Sequence, residues 1–330
     1  MRVIRLRKDD TDDAKLRIPA EIIRKGGLVA FPTETVYGLG ADALNERAVR
    51  RIFEVKGRPD DNPLIVHISD FEEIYRIAKP NRVALKLIDE FFPGPLTVVM
   101  EKREVVPDAT TGGLKTVAVR MPSHKVALRL IELSGTPISA PSANRSGRPS
   151  PTRAEHVIED FGDEIECVVD AGKTEIGLES TVVDTTVYPI EILRPGAVTR
   201  EMLEELFDVR VVKTSEVARS PGMKYRHYSP SADVVVIVGR DARWEIARLA
   251  EKFRKMGRNP GIAAMKPDLS IDIPSYDLGS NLDQYAERLF DAFRSLDRSC
   301  DVIIVEGVEE KGIGAAIMNR LSKAGRIYRV

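Results

Sequence analysis

Little in this chain is suited to covalent or redox chemistry. It has two cysteines, Cys167 and Cys300, far apart and in no metal-ligand spacing. A disulfide framework and a cysteine-held zinc are thereby excluded, and both thiols are expected to be buried in a reducing compartment. No apolar run reaches the ~18 residues of a membrane helix. The opening MRVIRLRKDD lacks the apolar core of a secretory signal, so a cytoplasmic protein is expected. An excess of either charge is also missing. Lys and Arg number 50 against 51 Asp and Glu, which excludes a uniformly basic nucleic-acid coat but leaves room for a local basic cleft. Gln284 is the only glutamine among abundant Lys, Arg and Glu, a bias associated with thermophiles.

Familiar signatures fail as well. Gly172-Lys173-Thr174 resembles the end of a Walker A loop, but its first glycine would have to be residue 167, which is Cys167 at the start of an apolar run. Gly312 and Gly314 suggest GxGxxG, yet the third position is Ile317. No GxSxG elbow occurs, and neither cysteine has a histidine near it in sequence. A protein nucleophile is not indicated.

The first two hundred residues alternate short apolar runs with helical spacings. Strands are expected at 2–6, 28–31, 64–68, 96–101, 116–120, 137–140, 166–169, 181–184 and 190–193. Helices are expected at 13–25, 45–56, 124–133, 153–161 and 200–207, with Asn45 as N-cap and Gly57 as terminator of the second. So many strands, several back to back, predict a mixed α/β sheet with helices packed on it. Beyond Ser231 the pattern becomes regular strand–helix alternation, predicting a smaller doubly wound, Rossmann-like α/β domain. The expected division is 1–208, a linker at 209–232, and 233–330. The linker contains VARSPGMKYRHYSPSA, with Tyr225, Arg226, His227 and Tyr228 together. Two readings stay open: an extended linker packed on a domain surface, or a lid over a neighbouring site.

Two stretches carry most of the chemistry. FPTETVYGLGADA supplies Thr33, Thr35 and Tyr37 between Pro32 and Gly38, either as turn chemistry or as the floor of a small polar pocket. KGRPDDNPLIVHI follows a helix and supplies Lys56 and Arg58. Helix-end cations complement the dipole, and a fork beside a point charge also suits a polyphosphate. His67 lies on an apolar strand, where a satisfied core histidine is the commoner outcome. No metal-spaced partner accompanies it, so no protein-held metal is expected. SAPSANRSGRPSPT follows a strand end with Ser142, Asn144, Arg145, Arg148 and Ser150, and its successive backbone amides suggest an anion nest.

In order and spacing, FPTETVYGLGADA, the KxR of Lys56 and Arg58, the SxN of Ser142 and Asn144, and the connecting NPLIVHI, FFPGPLTVV, RMPSH, PSANRSG, STVVD and LRPGA are similar to the YrdC-domain family. PGMKYRHYSP and MNRLSKA extend the likeness through the C-terminal half. Within the family, the chain resembles the two-domain archaeal and eukaryotic-type threonylcarbamoyl-AMP synthases. The resemblance implies an open twisted α/β sheet, and an enzyme that condenses L-threonine, bicarbonate or CO2, and ATP to threonylcarbamoyl-adenylate and pyrophosphate. A separate transferase complex then passes the group to tRNA; direct tRNA binding by this chain is left open. It also implies that Thr35, His67, Arg120, Ser180 and the Ala140 backbone surround threonine. Lys56, Arg58, Asn62, Thr116, Ser142, Asn144, Ser150 and Arg194 would contact ATP, Tyr228 would reach the nucleotide from the lid, and Mg2+ would arrive on ATP. Lys56 and Arg58 are the expected catalytic cations. The competing expectations are an RNA-binding translation or assembly factor, and a carbamoyl transferase of the hydrogenase-maturation kind.

Overall fold

The computed structural model describes residues 1–7, 10–212, 228–267 and 272–330. Its contacts divide these into two units. One comprises 1–146, 151–175 and 179–212; the other comprises 147–150, 176–178 and 228–330. No helix among the described residues is long and apolar enough to cross a membrane.

The first unit is built on a twelve-stranded mixed sheet. From one edge its strands run Arg2–Arg5, Cys167–Asp170, Val29–Pro32, Tyr37–Asp42, Ile138–Ser139, Ile65–His67, Thr116–Arg120, Leu96–Lys102, Thr181–Asp184, Ile190–Arg194 and Val209–Val211, with Ala78–Lys79 beside Leu96–Lys102. Helices cover both faces of the first half. Val29, Phe31, Cys167 and Val169 pack with the helices Asp13–Arg24 and Lys125–Ser134. Leu28, Ala30 and Val168 pack with Glu46–Lys56 and Ala154–Phe161. Burial on both faces explains why these strands read as unbroken apolar runs.

The other half is different, and this positions the site. Val66, Val98, Val117 and Val119 face a core closed by the helices Glu72–Ile77 and Arg82–Phe91. Ile65, Val99, Ala118 and Val182 form a separate small cluster. Since side chains alternate along a strand, His67, Thr97, Thr116 and Arg120 share the face of that second cluster. The face without the helix-closed core thus sets these polar residues beside a small apolar cluster.

Several sequence expectations need correcting. Tyr37–Asp42 is a strand that was not expected, and Tyr37 belongs to it and not to the turn: Gly40 is there because a Cβ would meet the Phe31 ring at 2.7 Å and Ile138 at 2.8 Å. The helices Glu72–Ile77 and Arg82–Phe91 were not expected, although Asn81 caps the second by accepting from the Ala84 amide at 2.8 Å. Val209–Val211, set at the start of the linker, pairs in parallel with Ile190–Arg194 instead. Tyr225, Arg226 and His227, in the stretch read either as a packed linker or as a lid, lie outside the described residues.

The second unit carries a five-stranded parallel sheet in the order Ser275–Asp277, Pro260–Ala264, Val302–Glu306, Asp233–Val238, Arg326–Arg329. Helices Ala242–Lys255, Leu282–Leu296 and Ile313–Ala324 connect the strands. Cys167 and Cys300 are both free and buried, and burial pushes each thiol pKa up, that of Cys167 to about 11. Neither is primed as a nucleophile.

Candidate active site

The turn between Val29–Pro32 and Tyr37–Asp42 is tied by one hydroxyl. Thr33 Oγ1 accepts from the amides of Thr35 and Val36 at 3.2 and 3.3 Å and donates to Val36 O at 2.7 Å. Its proton is therefore used, so at 2.8 Å Thr35 Oγ1 is the donor to it. Thr35 Oγ1 in turn accepts from Arg120 Nη1 at 2.9 Å. The Tyr37 hydroxyl anchors the turn by donating to Gly172 O at 2.7 Å.

Arg120 ends its strand in register with His67 on the neighbouring parallel strand. Besides Thr35, its guanidinium donates from Nε to Gly94 O at 3.2 Å, and Nη2 lies 2.6 Å from Glu34 Oε1. Both side chains of this ion pair are at most 5% exposed. Glu34 was passed over in the sequence, where the threonines on either side drew the attention. An acidic residue inside a segment headed for burial was the available signal, because a buried carboxylate requires a cation.

His67 is buried. That burial, with the Arg120 guanidinium a second cause, pushes its pKa down to about 3 from the ordinary 6.5. The imidazole is neutral near neutral pH. Unfolded, it takes up a proton below 6.5 that the folded chain refuses until about 3. The stability this residue confers is therefore complete above 6.5 and is lost as pH falls through that window. From pH 7 to pH 5 the loss from this one group is about 2 kcal/mol. Urea denaturation at the two pH values should show the native chain losing about that much more than His67→Gln. Equal losses would mean the imidazole is not held neutral.

Ser180 and Arg194 also meet. Arg194 donates from Nε to Ser180 O at 3.1 Å and from Nη2 to Ser180 Oγ at 3.2 Å, while Thr97 Oγ1 sits 2.8 Å from Ser180 Oγ. The Ala140 amide is taken by sheet pairing with Ile65 O at 2.9 Å.

A second group gathers around Lys56, the last residue of Glu46–Lys56, where Gly57 adopts the left-handed conformation of a helix terminator. Its buried Nζ donates to Ser142 O at 2.6 Å and to Asn144 O. Ser142 Oγ donates to Asn144 Oδ1 at 2.6 Å. Arg58 Nη2 donates to the carbonyls of Asn62 and Pro63, each at 3.3 Å. The Asn62 side chain is buried, and neither of its polar atoms has a hydrogen-bond partner. The two groups are joined through Tyr37, whose carbonyl accepts from the Ala143 amide at 2.8 Å and whose amide donates to Pro151 O at 2.9 Å.

Four amides of the expected anion nest are turned to partners within the protein. The amides of Ala143, Asn144 and Ser146 donate to the carbonyls of Tyr37, Ser142 and Lys56, and that of Arg145 donates to Asp160 Oδ2. Loop closure consumes these four donors. Of the remaining expected residues, Thr116 pairs with Glu101 at the far end of the Arg120 strand. Ser150 and Tyr228 fall in the second unit, where Tyr228 is buried at φ 67°, stacked on Phe290 and under the Arg320 guanidinium.

Comparison with known families decides the assignment. The Sua5/YciO/YrdC profile, described as telomere recombination, matches residues 21–196. A second profile, the C-terminal domain of threonylcarbamoyl-AMP synthase, matches 198–325. The chain is a two-domain member of the Sua5/YciO/YrdC family. Membership places it among enzymes of the nucleotidyltransferase type. The threonylcarbamoyl-AMP synthase of Pyrococcus abyssi is 52% identical, with 98% of this chain and 97% of that protein covered. The Bacillus subtilis enzyme of the same name is 43% identical over 97% and 96%. The crystal structure of P. abyssi Sua5 complexed with L-threonine superposes over 100% of both chains at a TM-score of 0.96. Escherichia coli YciO, at 24% identity and a TM-score of 0.55, shares the fold over 59% of this chain.

Proposed function

We propose that this family member condenses L-threonine, bicarbonate or CO2, and MgATP to threonylcarbamoyl-adenylate and pyrophosphate. The product would feed a separate transferase complex that modifies tRNA, in the cytoplasm. The carrying observation is the buried Arg120 fork, set with Thr35 and neutral His67 on the sheet face without the helix-closed core. Such a fork matches an amino-acid carboxylate, and the 52% identical P. abyssi protein was solved with L-threonine.

In this reading Thr35, His67, Arg120, the Ala140 backbone and Ser180 enclose threonine. Lys56, Arg58, Asn62, Thr116, Ser142, Asn144 and Arg194 serve ATP. The threonine amine captures CO2 as a carbamate, a carbamate oxygen attacks the α-phosphorus, and pyrophosphate departs. Such a reaction asks the chain for positioning, cations and dryness, not for a nucleophile of its own. Magnesium is proposed to enter with ATP, held by phosphate oxygens and water.

The test is pyrophosphate release from the full chain with labelled ATP and no RNA. Release should require both threonine and bicarbonate. Retention of tRNA without pyrophosphate, weakening with salt, would replace this reading by RNA binding. Turnover with carbamoyl phosphate in place of threonine would replace it by carbamoyl transfer.

A further inference from the structure

Glu34 carries more than the proposed reaction has used. Its carboxylate belongs to a residue only 3% exposed. Oε1 lies 2.6 Å from Arg120 Nη2, yet that contact is not aligned as a hydrogen bond, and neither Glu34 oxygen has a hydrogen-bond partner. Apart from Arg120 Nη2, which has no hydrogen-bond partner either, the surrounding donors are already committed. The Thr33 hydroxyl proton goes to Val36 O and that of Thr35 goes to Thr33. Arg120 spends Nε on Gly94 O and Nη1 on Thr35. A counter-ion serving Arg120 alone would take the bidentate, parallel arrangement that guanidinium and carboxylate favour. Glu34 instead has charge compensation from one side and acceptor capacity left over, in a setting where unmet acceptors are costly.

We infer that Glu34 receives the α-ammonium of the amino-acid substrate and, with Arg120, makes the site selective for a zwitterion. The inference rests on the amino-acid reading proposed above. An ammonium brings three N–H donors on one small centre, which is what this carboxylate lacks. The charges agree: Arg120 is positive, Glu34 negative and His67 neutral, so the set is balanced before a zwitterion arrives and remains so afterwards. A carboxylic acid without the amine would place an uncompensated negative charge beside Glu34 in a poorly screened site.

The test pairs a ligand change with a protein change. Calorimetry on the full chain compares L-threonine with 3-hydroxybutyrate, which keeps the carboxylate and hydroxyl and lacks only the amine. The native chain should prefer threonine by at least ~100-fold. In Glu34→Gln that preference should shrink below ~10-fold, chiefly through weaker threonine binding, with Glu34→Asp in between. A Glu34 that merely holds Arg120 in place would weaken both ligands by one factor and leave the ratio unchanged, which would overturn the inference. If Glu34→Gln does not fold, the native ratio and Glu34→Asp decide, and a native ratio near one overturns it equally. Absence of threonine binding to the native chain would overturn the amino-acid reading itself, and the inference with it.

Discussion

Replacing Arg120 with methionine is expected to destabilise the chain by about 3–5 kcal/mol, well beyond the loss of a surface ion pair. The reason is the partner left behind. Glu34 and Arg120 are each at most 5% exposed and lie 2.6 Å apart, so removing the guanidinium strands a carboxylate in the interior. The Thr35 hydroxyl and Gly94 carbonyl lose donors in the same step. Neutralising the stranded group should recover most of the loss, so Arg120→Met with Glu34→Gln should be more stable than Arg120→Met alone. Urea denaturation of the two single variants and the double variant gives the coupling directly. If Arg120→Met costs under ~1 kcal/mol, or the second substitution brings no recovery, the two are not a buried, mutually dependent pair. Threonine binding should be lost in both Arg120 variants, because the fork proposed for the substrate carboxylate has gone.

How far the sequence could be read depended on whether the signal was local. Asn45 and Gly57 bracket a helix by cap chemistry confined to one turn, and both appear where the spacing put them. The Val234–Val238 run and the strands Thr116–Arg120 and Thr181–Asp184 were legible because burial leaves an unbroken or alternating apolar pattern. Tyr37–Asp42 was missed because the feature that makes it a strand lies elsewhere. Gly40 is demanded by the Phe31 ring and Ile138, which are distant or across the sheet, and a glycine read alone looks like a turn. Val209–Val211 was lost for a similar reason: three residues with a charge in the middle become a strand only when an edge is present to pair with. At the site, the hydroxyls and cations of the motifs could be named, but their partners could not. Nothing in SAPSANRS announces that the amides of Ala143, Arg145 and Ser146 will be taken by Tyr37, Asp160 and Lys56. Nothing in PTET marks the glutamate as the residue opposite Arg120, 86 positions away.

Lys56 and Arg58 should separate in a way their adjacency in sequence conceals. Lys56 is buried and clasps the carbonyls of Ser142 and Asn144 from the end of its helix. Changing it to methionine removes a charged donor from two carbonyls, which should cost about 1–3 kcal/mol of stability. The loop around Ser142 and Asn144 should loosen with it, although the backbone bond from the Ser146 amide to the residue 56 carbonyl remains. With Ser142 and Asn144 no longer fixed, kcat/KM for ATP should fall by at least ~100-fold, the scale that misplacement of a binding loop reaches. Arg58 is half-buried and makes longer bonds, at 3.3 Å, to two carbonyls of its own turn. Arg58→Ala should therefore leave stability within ~1 kcal/mol while still costing at least ~10-fold in kcat/KM, because a cation in the role proposed for it, opposite the triphosphate, acts mainly on the transferring charge. Pyrophosphate-release kinetics at varied ATP, run beside urea denaturation, measure both quantities. A Lys56→Met chain that is destabilised yet turns over normally would reduce that lysine to a brace. An Arg58→Ala chain with unchanged kinetics would remove its guanidinium from the reaction.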